Sequence, residues 1–154
     1  NFGVSIYSEK ELLYVLKNKI FTYIQIPINI ADSYYFMRYR KKLKGKIIVA
    51  RSLALQGTLL STKINFKFKK QITNFRKYLN KISYENKISK EELIYRYVFS
   101  LKNLNYALIG SINKENIKKI LNYKKKGSLN HKLINKLNEN SAIKKNWSNP
   151  KKWN

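Results

Sequence analysis

The side chains best placed to do chemistry are few and small. Ser5, Gln25 with Asn29, Arg51 with Ser52, and Gly110 with Ser111 each fall where a short apolar run gives way to polar sequence. If those runs are parallel strands, the groups meet on one rim at the strands' C-terminal ends, where α/β folds bind their ligands. Hydroxyl, amide and guanidinium groups hold a polar ligand; they do not move protons by themselves near neutral pH. No carboxylate pair and no His–Asp pairing accompanies them. His131 is the one histidine; it sits in a late, lysine-flanked stretch and reads as a surface or loop-packing residue. The absence of cysteine excludes disulfides, thiolate metal sites and cysteine nucleophiles, and with so few ligands no metal site is expected.

The stretch Ala107 to Asn116 (ALIGSINKEN) has more to offer. A strand ending at Gly110 runs into a helix start within three residues. The first amides of that helix lack intrahelical partners and carry the positive end of its dipole. Gly110 allows close backbone approach, Ser111 and Asn113 add polar groups, and Lys114, Lys118 and Lys119 add cations. This is the chemistry of a phosphate site, but on local sequence alone an ordinary capped helix start is the favoured reading.

The elements that must position these groups follow from periodicity. Phe2 to Ser5 is a short apolar strand. Ser8 and Glu11 form a capping box for a helix over Glu9 to Asn18, with Leu12, Leu13, Val15 and Leu16 as its buried stripe. Thr22 to Asn29 alternates as a strand, with Pro27 placed near its end. Asp32 caps a helix running to about Leu43, Gly45 closes it, and Lys46 to Ser52 is the next strand. Leu53 to Thr62 is a glycine-containing loop. Helices over Phe68 to Leu79 and Lys90 to Leu101 follow, the second with Ser89 and Glu92 as a capping box. Asn105 to Gly110 is a last strand, followed by a helix to about Tyr123, a break at Gly127 and a short helix over Asn130 to Leu137. The tail, 141–154, is polar apart from Ile143, Trp147 and Trp153.

The order β-α-β-α-β-α-α-β-α demands parallel pairing through crossovers. Four short strands are half of a (β/α)8 barrel, and half a barrel leaves two open edges and an uncovered interior face. The expected fold class is therefore α/β, half of a (β/α)8 barrel, across residues 1–154, and the pattern calls for a missing N-terminal half of similar size. A first residue of Asn1 rather than methionine fits a fragment or a processed product.

A length of 154 residues with 44% apolar content bounds the chain to one domain or part of one. Its apolar runs, Ile24 to Ile30 and Lys46 to Leu55, are too short to span a bilayer. No secretory signal is visible, so the expected compartment is the cytoplasm and no membrane partner is expected. The net charge of +25 comes from 33 Lys and Arg against eight acids. Lys, Asn and Ile make up roughly two-fifths of the chain, far above ordinary usage. Their A/T-rich codons make compositional drift the favoured source. Arginine, which reads nucleic acids by bidentate contacts, occurs only at Arg38, Arg40, Arg51, Arg76 and Arg96. Nucleic acid is expected to stick non-specifically, through lysine and stacking tyrosines, and no more than that. A non-enzymatic nucleic-acid binder and a self-associating half-barrel stand as the rival readings.

Four blocks in order resemble the aldo-keto reductase family: GVSIYSEKEL (Gly3 to Leu12), YIQIPINIAD (Tyr23 to Asp32), VARSLALQGTLL (Val49 to Leu60) and NYALIGSINKENIKKIL (Asn105 to Leu121). The ending Asn149 to Trp153 is similar to the P-x-x-W ending of a bacterial branch. The resemblance covers nearly the whole chain and implies the C-terminal half of an NADP(H)-dependent oxidoreductase. Its substrate would be a small carbonyl compound or alcohol. By that resemblance Ser5 and Gln25 would hydrogen-bond the nicotinamide carboxamide and Arg51 would stack beside the ring. Ser52, Ala54 and Gln56 would line the pyrophosphate path, and Gly110, Ser111, Asn113 and Asn116 would face the adenosine phosphate end. Lys119 and Ile120 stand where many members have a Glu-Asn pair contacting adenine. The family's catalytic Asp, Tyr, Lys and His lie on the first four strands, which this sequence does not contain, so no catalytic residue is assigned.

Overall fold

The computed structural model describes residues 1–61 and 67–153. Its elements are β1 (Phe2–Ser5), α1 (Glu9–Lys17), β2 (Phe21–Pro27), α2 (Tyr34–Arg38), β3 (Ile47–Arg51), α3 (Lys69–Glu85), α4 (Lys90–Phe99), β4 (Tyr106–Ala107), α5 (Lys114–Lys125) and α6 (His131–Ser141). Two 3-10 turns, Asn146–Ser148 and Pro150–Lys152, shape the tail. Of the expected loop Leu53 to Thr62, the last residue lies outside the described residues.

The four strands form one parallel sheet in the order β1-β2-β3-β4. Register pairs Val4 with Ile24, Ile24 with Ile48, and Ile26 with Ala50. Because side chains alternate along a strand, these residues share one face. That face is the packed one: Ile24, Ile26, Ile48 and Ala50 are fully buried with Leu12, Leu79, Leu93, Ile94 and Val98 from the helices. The other face carries Gly3, Ser5, Tyr23, Gln25, Val49 and Tyr106, all half-buried or exposed. It is the interior wall of an unclosed barrel. Gly3 belongs to its register, since a Cβ there would stand 3.1 Å from the Cβ of Tyr23.

Local expectations hold where capping chemistry is strong. Ser8 accepts from the Glu11 amide at 3.3 Å, and the Glu11 carboxylate accepts from the Tyr7 and Ser8 amides at 2.6 and 2.9 Å. Pro27 ends β2, where it disturbs no further ladder. Five details differ. Leu13 is exposed, because only Leu12 and Val15 of α1 face the sheet fully. The helix after Asp32 stops at Arg38, and 39–45 continues as irregular turns. Arg38 and Lys42, and Arg40 and Lys44, are like charges one turn apart, which destabilises a regular helix there. The third and sixth helices run further than their apolar stripes, to Glu85 and Ser141. β4 pairs through only two residues, Tyr106 and Ala107, since β3 offers it just Val49 and Ala50 before the ladder ends.

The fifth difference is at α4. Ser89 accepts from the Glu92 amide at 3.0 Å as expected, but the Glu92 carboxylate does not turn back to complete a box. It pairs instead with Arg96 at 2.8 Å and Lys126 at 2.6 Å, with a side chain 7% exposed. Arg96 in turn donates to the carbonyls of Gly127 at 3.0 Å and Ser128 at 3.1 Å, closing the end of α5 onto α4. A second internal knot joins α2, α4 and α6. The Ser33 hydroxyl lies 3.0 Å from the Tyr97 hydroxyl and 2.7 Å from that of Ser141, and all three residues are fully buried.

Burial alone would raise the Glu92 pKa, but hydrogen bonds from Lys126 and Arg96 outweigh it and hold the carboxyl below the usual glutamate range. A depressed folded-state pKa contributes stability that is complete above the unfolded value of about 4.3 and is lost as pH falls below it. Glu92→Gln should therefore cost roughly 2–3 kcal/mol at pH 7 by leaving the Arg96 guanidinium uncompensated. Urea denaturation should show the gap between wild type and variant narrowing from pH 5 to pH 3, and a gap independent of pH would contradict this account.

Candidate functional site

A cavity of about 450 Å3 opens at the C-terminal ends of β1, β2 and β3, and the tail supplies its remaining wall. That volume is in the range of small-molecule sites. Arg51, the last residue of β3, projects into it. The guanidinium lies 4.0 Å from the centre of the Tyr7 ring and donates through Nη2 to the Ile6 carbonyl at 3.0 Å. Nη1 reaches the Ser52 hydroxyl at 3.5 Å, and Nε is buried with no partner among the described residues. No carboxylate pairs with Arg51 among the described residues. Burial lowers its pKa from the ordinary arginine value, with the Tyr7 ring acting the other way.

The loop after Arg51 is wound by left-handed residues. Ser52, Leu55 and Gln56 have φ of 57°, 51° and 53°, and Gly57 has 77°. Only glycine takes that conformation without strain, so three side-chain-bearing residues hold it against their preference. Apolar anchors compensate: Leu53, Leu55 and Leu59 are buried, and Arg76 from α3 donates to the Thr58 carbonyl through Nε at 2.9 Å. Inside this winding the amides of Leu53, Ala54, Gln56 and Gly57 donate to no backbone carbonyl among the described residues. Unengaged amides of a turn can serve an anion, and of these four residues Gln56 lines the cavity.

The tail is docked. The Ser148 hydroxyl donates to Asp32 Oδ2 at 2.5 Å, and Lys145 Nζ donates to the carbonyls of Ala31 at 2.9 Å and Ile143 at 3.1 Å. Burial lowers the Lys145 pKa, with Asp32 opposing. Trp153 is buried, its Nε1 donating to the Trp147 carbonyl at 2.8 Å, and Trp147 packs on Phe75 at 5.2 Å.

The residues singled out in the sequence divide into four groups. Arg51, Ser52 and Gln56 line the cavity together. Ala54 is a core residue and is not part of the cavity lining. Ser5 and Gln25 stand in register on the open sheet face, Ser5 Oγ donating to Gln25 Oε1 at 2.8 Å. Gly110, Ser111, Asn113 and Asn116 lie beyond β4 and form no part of the cavity wall. There the Asn113 side chain accepts from the Glu115 and Asn116 amides at 2.9 and 3.1 Å, and Ser111 Oγ accepts from the Asn113 amide at 3.3 Å. Lys118 pairs with Glu115 at 3.2 Å and Lys119 with Glu91. The segment is a capped helix start, as its local sequence favours. His131 is exposed at the start of α6, with Nδ1 3.3 Å from the Asn135 amide. Sequence reasoning missed Tyr7, Asp32 and the tail residues Lys144, Lys145 and Ser148. The two tryptophans in an otherwise polar tail were the available signal that it packs.

No family model and no curated protein matches this sequence. Solved structures do match it in shape. The aldo-keto reductase AKR11C1 from Bacillus halodurans superposes in its apo form with a TM-score of 0.70 at 15% identity, covering 92% of this chain and 52% of that one. Its holo form gives 0.67 at 16% identity, covering 93% and 51%. The glycerol dehydrogenase AKR11B4 from Gluconobacter oxydans gives 0.66 at 14%, covering 94% and 50%. The fold is that of half an aldo-keto reductase barrel. The chain spans about half the length of these neighbours. Among the described residues no helix is long and apolar enough to cross a membrane.

Both tryptophans of the chain lie in the tail, so their fluorescence reports its docking. Trp153→Ala should cost about 3–5 kcal/mol by emptying a buried aromatic site. It should also shift Trp147 emission to the red as the tail loosens. An unshifted emission maximum would show that Trp153 does not hold the tail in place.

Proposed function

We propose that this chain is the cofactor-holding, C-terminal half of an NADP(H)-dependent reductase barrel acting on a small carbonyl compound or alcohol. The observation that carries this reading is Arg51. Among the described residues, a half-buried guanidinium with an unpartnered Nε and no carboxylate stands at a strand end, next to a loop with amides that donate to no backbone carbonyl, in a fold that matches about half of an aldo-keto reductase chain. The loop amides fit the pyrophosphate of a dinucleotide, and the adjoining guanidinium plane fits a place beside its nicotinamide ring.

In this reading the Ser5–Gln25 pair keeps the Gln25 amide donors directed at a carboxamide. Arg51 packs a planar face beside the nicotinamide ring. Ser52, the Ala54 backbone and Gln56 hold the pyrophosphate. The segment from Gly110 through Ser111, Asn113 and Asn116 meets the adenosine phosphate end mainly through its backbone, because the Ser111 and Asn113 side chains are engaged in capping. The lysine excess favours a 2′-phosphate on charge grounds. When bound, the cofactor supplies the hydride. The proton donor belongs to the half-barrel absent from this sequence, and the cytoplasm is the compartment in which we place the complete protein.

NADPH titrated into the chain and followed by energy transfer from Trp147 and Trp153 should bind, and more tightly than NADH. Arg51→Ala should weaken binding by about tenfold, the worth of one partly desolvated cation stacked on a ring. The chain alone should oxidise no NADPH with a panel of aldehydes. Failure to bind either dinucleotide would overturn the reading, and turnover by the chain alone would overturn the assignment of the proton donor elsewhere.

A further inference from the structure

The cavity lining is cationic on its tail side as well as at Arg51. Four cations reach it, Arg51, Lys144, Lys145 and Lys152, against the single carboxylate of Asp32. Asp32 is already engaged, accepting from Ser148 Oγ at 2.5 Å and from the Tyr34 amide at 3.1 Å. Lys145 is engaged too, in the backbone carbonyls that fix the tail. That leaves Lys144 and Lys152 on the tail wall with no carboxylate among the described residues. The ammonium of Lys144 stands 5.8 Å from the ring centres of both Tyr34 and Tyr35, which meet edge to face at 5.3 Å. Lys152 Nζ donates to Asn146 Oδ1 at 3.1 Å, which orients it without neutralising it. This side of the cavity thus joins an aromatic corner from α2 to two tail ammonium groups that have no carboxylate partner among the described residues.

We propose that this tail wall is the substrate side of the cavity and selects a small carbonyl compound that carries an acidic group, a carboxylate or a phosphate monoester. Its apolar body lies against Tyr34 and Tyr35, and Lys144 and Lys152 hold its anion. The inference rests on the reductase reading for the word substrate; the anion preference of the cavity rests on the lining alone. The arrangement gives selection as well as affinity, since a neutral analogue leaves both cations without a partner.

The test compares 4-formylbenzoate, 4-formylphenyl phosphate and methyl 4-formylbenzoate as ligands of the full chain, at physiological salt, with and without saturating NADPH. At least one acid should bind about tenfold more tightly than the ester, as expected for two partly screened charge contacts. Lys144→Gln with Lys152→Gln should bring that acid to the affinity of the ester. Lys124→Gln with Lys125→Gln on α5 removes the same charge far from the cavity and should leave the preference intact, which separates a local site from the general attraction of a +25 chain. Equal affinity for acids and ester, or equal loss in both double variants, would overturn the proposal. Acid selectivity in a chain that binds no NADPH would sustain the cavity's preference while overturning the reductase reading, so the two failures are distinguishable.

Discussion

The parallel register of β2 between β1 and β3 is the constraint on which the rest of the molecule depends. It sets Ile24 opposite Val4 and Ile48, and Ile26 opposite Ala50, so that one continuous apolar face is offered to the helices. A slip of one residue would turn those isoleucines outward and bring Tyr23 and Gln25 under the helices. The same register brings the ends of β1, β2 and β3 level. Ile6, Pro27 and Arg51 then stand close enough for the Arg51 guanidinium to reach the Ile6 carbonyl across β2. The Ile28 amide donates to the Arg51 carbonyl at 3.1 Å, which ties the end of the second strand to the third. Core and rim are therefore one consequence of one alignment.

This dependence explains why so much of the fold was legible in the sequence. Alternation in Thr22 to Asn29 and caps at Ser8, Ser89 and Asn113 are local signals, and local signals survive folding when tertiary contacts agree with them. The details that failed were those decided by distant partners. Glu92 has the spacing of a capping box, but its carboxylate finds Arg96 and Lys126 in a drier place, and the buried pair wins. The basic run after Arg38 keeps a helical apolar pattern yet loses regular helix to repulsion between neighbouring turns. On the rim, Arg51 and Ser52 were legible because they stand where the third strand gives out, whereas Gln56 was singled out only through the family resemblance. Tyr7 was not legible because its place is set by the Arg51 guanidinium from another strand, and Lys144 and Ser148 were not because theirs comes from a tail docked on Asp32 more than a hundred residues away.

Charge is distributed by the same logic. With 33 cations and eight acids, a carboxylate is the scarce resource. Glu9, Glu11, Asp32, Glu85, Glu91, Glu92 and Glu115 each hold a hydrogen bond or ion pair. They sit where elements meet: Glu92 between α4 and α5, Asp32 between the end of β2 and the tail, Glu11 at the turn from β1 into α1. Acids are spent on joints, and most lysines face water, where an unpaired ammonium costs little. Against that background an unpaired cation inside a cavity carries information. Arg51 has lost part of its hydration and pairs with no carboxylate among the described residues, and unlike Arg76, whose Nε and Nη2 both donate to the Thr58 carbonyl, it leaves its Nε without a partner there.

The open face of the sheet carries the opposite message. Tyr23, Val49 and Tyr106 are half-buried or exposed on a surface with free edges at β1 and β4, and apolar exposure of that kind is unfavourable in water. The two features are linked. A closed barrel would cover those side chains and, by excluding water from the rim, would strengthen every electrostatic contact that Arg51 makes. The dielectric environment of the cavity thus depends on a sheet face that the described residues leave open. The strand ends, the wound loop and the tail line the cavity together. Its electrostatic strength depends further on how much water any cover over that open face would displace.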